Sequence, residues 1–206
     1  IDRLLSSPRY GERWGRYWLD LAGYADSEGK LEQDLPRTQA WRYRDYLIRS
    51  LNADKPYDRI LLEQLAGDEL ADYEHARELT PELYDNLVAT GFLRMAPDST
   101  CANITAFLPD RLDVVSDEID VLGSAVLGLT LKCCRCHDHK FDPLPQRDYY
   151  RLVDVFKGAY DEHDWLRPDE PHGRPYLDKG LPTTRNLPLA FPSERRAVAA
   201  HNEQVN

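Results

Sequence analysis

Between Pro109 and Leu131 the apolar residues Leu112, Val115, Ile119, Leu122, Val126 and Leu129 recur at intervals of 3, 4, 3, 4 and 3. A strand alternates every second residue and cannot place these side chains on one side, whereas an α-helix can. The spacing predicts one long helix over residues 110–131. Its polar face carries Asp113, Asp117, Glu118 and Asp120, mostly in the first half, where the helix dipole favours negative charge. Gly123 and Gly128 weaken the second half but let another backbone or a flat ligand come close.

The same period recurs along the chain. Ser7-Pro8 is an N-cap signal followed by proline. Trp14, Tyr17, Trp18 and Leu21 then form one apolar face of a helix reaching about Ala25. Further helices are expected over residues 38–51, with Trp41 and Leu47 toward a core, and over 59–65, closed by Gly67. Another should run from Thr80-Pro81 to Thr90, stopped by Gly91, and a last one from Pro145, with Tyr149, Leu152, Val153 and Phe156 on one face. The aromatic set Trp14, Trp18, Trp41, Tyr43, Tyr46 and Tyr57 is most economically core, with carbohydrate stacking as the role of any that prove exposed.

The fold class is therefore mainly α: a helical, bundle-like domain over residues 1–160. Residues 161–206 read as a loop-rich, proline-rich C-terminal arm, with a short hairpin near 176–189 and a further helix starting after Ser193. The opening at Ile1, inside a helix approach, reads as a piece of something longer. A chain of 206 residues, 42% hydrophobic and 30% charged, can bury a real core. Its net charge of −10, with no basic stripe, argues against a nucleic-acid partner. No apolar run approaches the ~18 residues of a membrane span.

Four cysteines lie at 101, 133, 134 and 136, so three crowd into four positions. A disulfide scaffold would spread them through a smaller chain. Cys133-Cys134-Arg135-Cys136-His137 fits C-x-x-C-H. Two thiols three residues apart lie on one side of a helical turn, where each can add to one vinyl group of a porphyrin. The adjacent imidazole is then pinned beneath the ring as proximal iron ligand. The expected cofactor is one covalent haem c on Cys133, Cys136 and His137. Three rivals stand beside it. A structural zinc site would use Cys133 and Cys136 with His137 or His139 and a fourth ligand from Cys134, Cys101 or a distant histidine. The others are a thioredoxin-like redox pair and a plain cysteine cluster.

Around the motif, Arg135 and Lys140 are the natural cations for haem propionates, with Arg147 weaker. His139 is expected to orient the loop or a propionate by hydrogen bonding. The sixth iron ligand is open between Met95, which is more economically core, His163 in a polar downstream loop, and water. His75 reads as a solvated helix-end histidine. With Cys133 and Cys136 consumed, Cys101 and Cys134 remain as an even pair for a disulfide in an oxidising compartment. Asp26, Glu28 and Asp34 lack the spacing of a calcium loop and read as solvated charge, and Asn103-Ile104-Thr105 matches a glycosylation acceptor.

These motifs carry a resemblance. The stretch 127–150, around KCCRCHDHKFDPLPQRDYY, resembles the planctomycete secreted-cytochrome-associated family, domains of unknown function found in long multidomain proteins. So do YGERWGRYWLDLAGYADSEG (residues 10–29), AWRYRDYLI (40–48), DKPYDRILLEQLAGDEL (54–70) and ATGFLRMAP (89–97). The resemblance covers nearly all of residues 1–160. It implies an exported, periplasmic or extracellular, haem-associated protein whose partners are other cytochrome or redox domains of the same polypeptide. Cys134 departs from the small residue usual between the family's cysteines, and Cys101 is atypical. The expected function is electron relay through the haem. The alternatives are a haem-dependent oxidoreductase with an open distal site, acting on a small molecule or glycan, and a zinc-stabilised structural module.

Overall fold

Helices form where the period predicts them, but they pair through faces the period does not reveal. The computed structural model describes residues 1–27, 36–37, 39–71, 73, 76, 79–97 and 108–157, with 196, 200 and 203. The expected arm, its hairpin, Cys101, His163, His75, Glu28, Asp34 and the Asn103 triplet lie outside the described residues. Among the described residues the fold is mainly α. Its helices are α1 (Asp2–Leu5), α2 (Arg9–Leu21), α3 (Trp41–Asn52), α4 (Tyr57–Leu70), α5 (Pro81–Ala89), α6 (Leu108–Leu122) and α7 (Gln146–Lys157). Short 3-10 turns cover Thr90–Arg94 and Leu131–Arg135, and a π turn covers Gly123–Leu127.

Helix α2 corrects the first expectation. Trp14, Tyr17 and Leu21 are about half exposed, and the buried positions are Gly11 and Gly15. These glycines, one turn apart, let α2 lie directly on α3, so that a β-carbon at Gly11 would collide with the Ile48 carbonyl. The Gly11 N–H donates to Asn52 Oδ1 at 2.8 Å, and Asn52 Nδ2 reaches back to the Pro8 carbonyl at 2.8 Å. Backbone contact through small residues has displaced the aromatic stripe to the edge. Trp41 and Tyr57 are likewise exposed, while Tyr43, Tyr46 and Leu47 are core. Trp18 is partly buried, its Nε1 donating to Gln64 Oε1 and Tyr43 Oη at 2.8 and 3.0 Å.

Gly67 does not close α4. The helix kinks at Ala66 (φ −146°) and continues to Leu70. Gly67 is buried because the Asn86 carbonyl of α5 occupies the space a β-carbon would need. Helix α5 starts as expected, with Thr80 Oγ1 accepting the Leu83 N–H at 3.1 Å, and its end tightens into a 3-10 turn through Gly91. The long helix stops at Leu122, short of Leu131, and the chain passes through the π turn to Gly128, in the left-handed region at φ +67°. Val115, Ile119 and Leu122 of the seam are buried, and so is Glu118, which the sequence places on the polar face. Tyr149 and Phe156 of α7 complete a core cluster shared by α3, α4, α6 and α7.

Candidate functional site

The reversal after α6 brings the cysteine motif back onto that helix. Gly123 makes this possible: a β-carbon there would lie 2.9 Å from the Leu131 side chain and 3.0 Å from the Leu129 carbonyl. The Leu129 N–H closes the turn on the Gly123 carbonyl at 2.9 Å. Residues Leu131–Arg135 then form a 3-10 turn, in which side chains three apart eclipse one another.

That geometry sorts the motif into three sides. Leu131 and Cys134 are buried against the core. Lys132 and Arg135 face the acidic stripe of α6: Lys132 Nζ lies 3.2 Å from Asp117 and 3.9 Å from Asp120, and Arg135 lies 2.7 Å from Asp113. Cys133 and Cys136 fall on the third side, both exposed, with the Cys136 N–H 3.4 Å from the Cys133 carbonyl. Hydrogen bonding to Asp117 holds the Lys132 ammonium above its ordinary range, and Asp113 does the same for Arg135. Burial pushes the Cys134 thiol up, which disfavours its thiolate, and its Sγ lies 3.7 Å from the Leu144 carbonyl.

The two histidines take opposite tautomers. His137 is exposed, and its Nδ1 lies 2.7 Å from the Asp138 carbonyl. A carbonyl only accepts, so Nδ1 carries the proton and Nε2 keeps the lone pair a metal needs. The His139 side chain is only 5% exposed. Its Nδ1 accepts from the Asp142 and Phe141 N–H groups at 2.9 and 3.4 Å, which leaves Nε2 to donate to Thr130 Oγ1 at 3.0 Å. The Asp142 carboxylate lies 3.1 Å from the same Nδ1. Two backbone N–H groups point at that nitrogen, which makes it the acceptor. His139 thus has both ring nitrogens engaged within the loop. Among the described residues no group of three or more His, Cys, Asp and Glu is disposed as a metal cage.

Asp138 caps α7 from eight residues away, accepting the Gln146 N–H at 2.7 Å. The Gln146 amide and the Tyr150 hydroxyl both donate to the Arg135 carbonyl, at 3.0 and 2.9 Å. Sequence reasoning missed Asp138 and Thr130 because their partners are set by the loop and not by helical spacing. Lys140 Nζ sits 5.2 Å from the ring centroid of Phe141, which is 83% exposed, and Arg147 is exposed beside Asp148. Met95 is buried in the core, its carbonyl accepting from Arg37 at 2.7 Å. Two hollows on the surface lie elsewhere, both along α2 and neither lined by residues 131–146.

The donor set fits a c-type haem: two soft thiols on one exposed side of a single turn, followed at once by an imidazole with Nε2 uncommitted. Residues 1–161 match the model of PSCyt2, described as a protein of unknown function (DUF1549). No curated protein and no solved structure matches the chain. The match spans the helices, the cysteine turn and the histidine loop together, and the chain belongs to the PSCyt2 family.

Proposed function

We propose that the chain is a c-type cytochrome domain that holds one haem through Cys133 and Cys136, with His137 Nε2 as proximal ligand. In this reading it relays electrons to cytochrome or redox domains of the same exported polypeptide, in the periplasm or outside the cell. The observation that carries the reading is the three-sided turn, which buries Cys134 and leaves Cys133, Cys136 and His137 exposed. Attachment consumes nothing else: each thiol S–H adds across one vinyl group, forming a C–S and a C–H bond. When bound, haem supplies one-electron exchange between Fe(III) and Fe(II). The protein's part is positional. The α6 carboxylates clamp the turn through Lys132 and Arg135, and His139 holds the loop that carries His137. Arg135 is engaged with Asp113, so Lys140 is the better cation for a propionate. Met95 and His163 remain the sixth-ligand candidates, and Cys101 with Cys134 the disulfide candidate.

Protein made in an export-competent, haem-attaching host should show a Soret band that survives acid-acetone extraction. Cys133→Ala with Cys136→Ala should abolish it, while His137→Ala should keep the pigment and change the spin state. Pigment lost to the organic phase would end covalent attachment, and a colourless, zinc-containing protein would favour the structural module. Carbon monoxide difference spectra then separate a closed relay from an open, enzyme-like iron.

A further inference from the structure

We propose that the aromatic face of α2 is a binding site for a neutral glycan chain. Tyr10, Trp14 and Tyr17 stand at successive turns of α2, with ring centroids 6.3 and 5.6 Å apart and planes tilted by 49° and 44°. Each step is close to the length of one sugar ring in an extended chain, so the rings form a staircase on which successive sugars stack. Trp14 is 53%, Tyr17 48% and Tyr57 56% exposed, which is unusual for rings of this size beside an apolar floor. They edge a hollow of 290 Å³ floored by Trp18, Leu47 and Ile60.

The chemistry of this hollow selects its occupant. Its lining carries no charged side chain, on a chain of net charge −10, and the neighbouring Arg13 guanidinium is stacked on Tyr17, so an anionic membrane or an acidic peptide finds no counter-charge within the hollow itself. The Trp18 indole N–H is already engaged with Gln64 and Tyr43, so the floor presents only carbon and π surface. The rim supplies the phenols of Tyr10, Tyr17 and Tyr57, which can pair with hydroxyls. Arg13 covers one face of the Tyr17 ring, 5.5 Å from its centroid, and fixes it while leaving the other face. A ligand with flat C–H faces and hydroxyl edges, and no charge, answers all of these demands; that is a sugar. The hollow's volume of 290 Å³ is of the size of one or two sugar rings.

The test uses the full chain, titrated with cellohexaose, mannohexaose, xylohexaose and maltohexaose by calorimetry and tryptophan fluorescence. At least one should bind saturably. Trp14→Ala should weaken it at least tenfold and Tyr17→Ala severalfold, with unchanged circular dichroism. Trp41→Ala, exposed outside the hollow, should have no effect, and the Cys133→Ala/Cys136→Ala protein should bind as well as the wild type. The proposal is overturned if no hexasaccharide binds or if Trp14→Ala keeps full affinity. It is equally overturned if sedimentation shows a dimer that Trp14→Ala abolishes, or if neutral or anionic phospholipid vesicles are bound in place of the sugars.

Discussion

Glu118 and Glu63 are both buried carboxylates, and their surroundings drive them in opposite directions. Burial opposes ionisation of Glu63, but hydrogen bonds from Lys55, Tyr46 and Arg59 outweigh it and hold its carboxyl below the usual range. Glu118 has one donor, the Ala96 N–H at 3.0 Å, and its Oε2 has no partner. Burial, only partly offset by Ala96, Arg94 and Arg37, pushes its pKa from 4.5 to about 8. A raised carboxyl pKa favours the protonated folded form. Its contribution is complete below pH 4.5 and is lost as pH rises toward about 8. Glu118→Gln should therefore gain stability relative to wild type across that window. The gain should reach a few kcal/mol, at roughly 1.4 kcal/mol per pH unit, in urea denaturation at stepped pH. His139→Ala should cost about 2–3 kcal/mol and open residues 137–146 to protease, because it leaves two backbone N–H groups and Thr130 unpaired. His139→Asn, whose Oδ1 can replace Nδ1 as acceptor, should recover part of that loss. The cysteines and His137 were legible as a motif in the sequence. Glu118 was not, since helical period placed it on the polar face with Asp113, Asp117 and Asp120.

At the scale of elements, an apolar stripe marks what could be buried, and glycines mark where backbones actually meet. Of the Trp14, Tyr17, Trp18, Leu21 stripe Trp18 packs against the core and the other three lie about half exposed, while Gly11 and Gly15, four apart in the same stretch, were the signal for the backbone contact. Gly67 read as a stop for the same reason, although it is a contact with Asn86. Gly11→Ala and Gly67→Ala should each cost about 2–3 kcal/mol, since backbone and not a flexible side chain must move. Gly128→Ala, with open space around it but φ +67°, should cost only about 1 kcal/mol. Thermal and chemical denaturation rank the three. Start signals fared well: Thr80 caps α5 and Pro145 precedes α7, both from local chemistry. The end of α6 was misplaced because a continuous apolar period persists through the π turn, where hydrogen bonding changes and spacing does not.

The described helices are joined by one core cluster, running from Ala22 through Tyr43, Phe92 and Ile119 to Tyr149 and Phe156. Arg37 and Glu118 meet the same segment, at Met95 and Ala96, one from before it in the sequence and one from after it. Three of the four tryptophans, Trp14, Trp18 and Trp41, lie in the first quarter of the sequence, so a Trp165→Phe chain reports that quarter by fluorescence, whereas far-ultraviolet circular dichroism reports every helix. A shared core should make the two unfolding curves coincide; a separate fluorescence transition would show the helices after residue 108 holding without the rest. The mainly α class was legible because its period is local. The pairing of helices was not, because it depends on contacts between residues distant in sequence. The burial of Cys134 between two exposed cysteines turns that turn into a clock. In the haem-free chain, Cys133 and Cys136 react with iodoacetamide at once. Cys134 waits for the turn to lift from α6, so one tryptic peptide records both the chemistry and the frequency of opening. A Cys134 that never reacts, even in denaturant without reductant, would instead report the bond to Cys101.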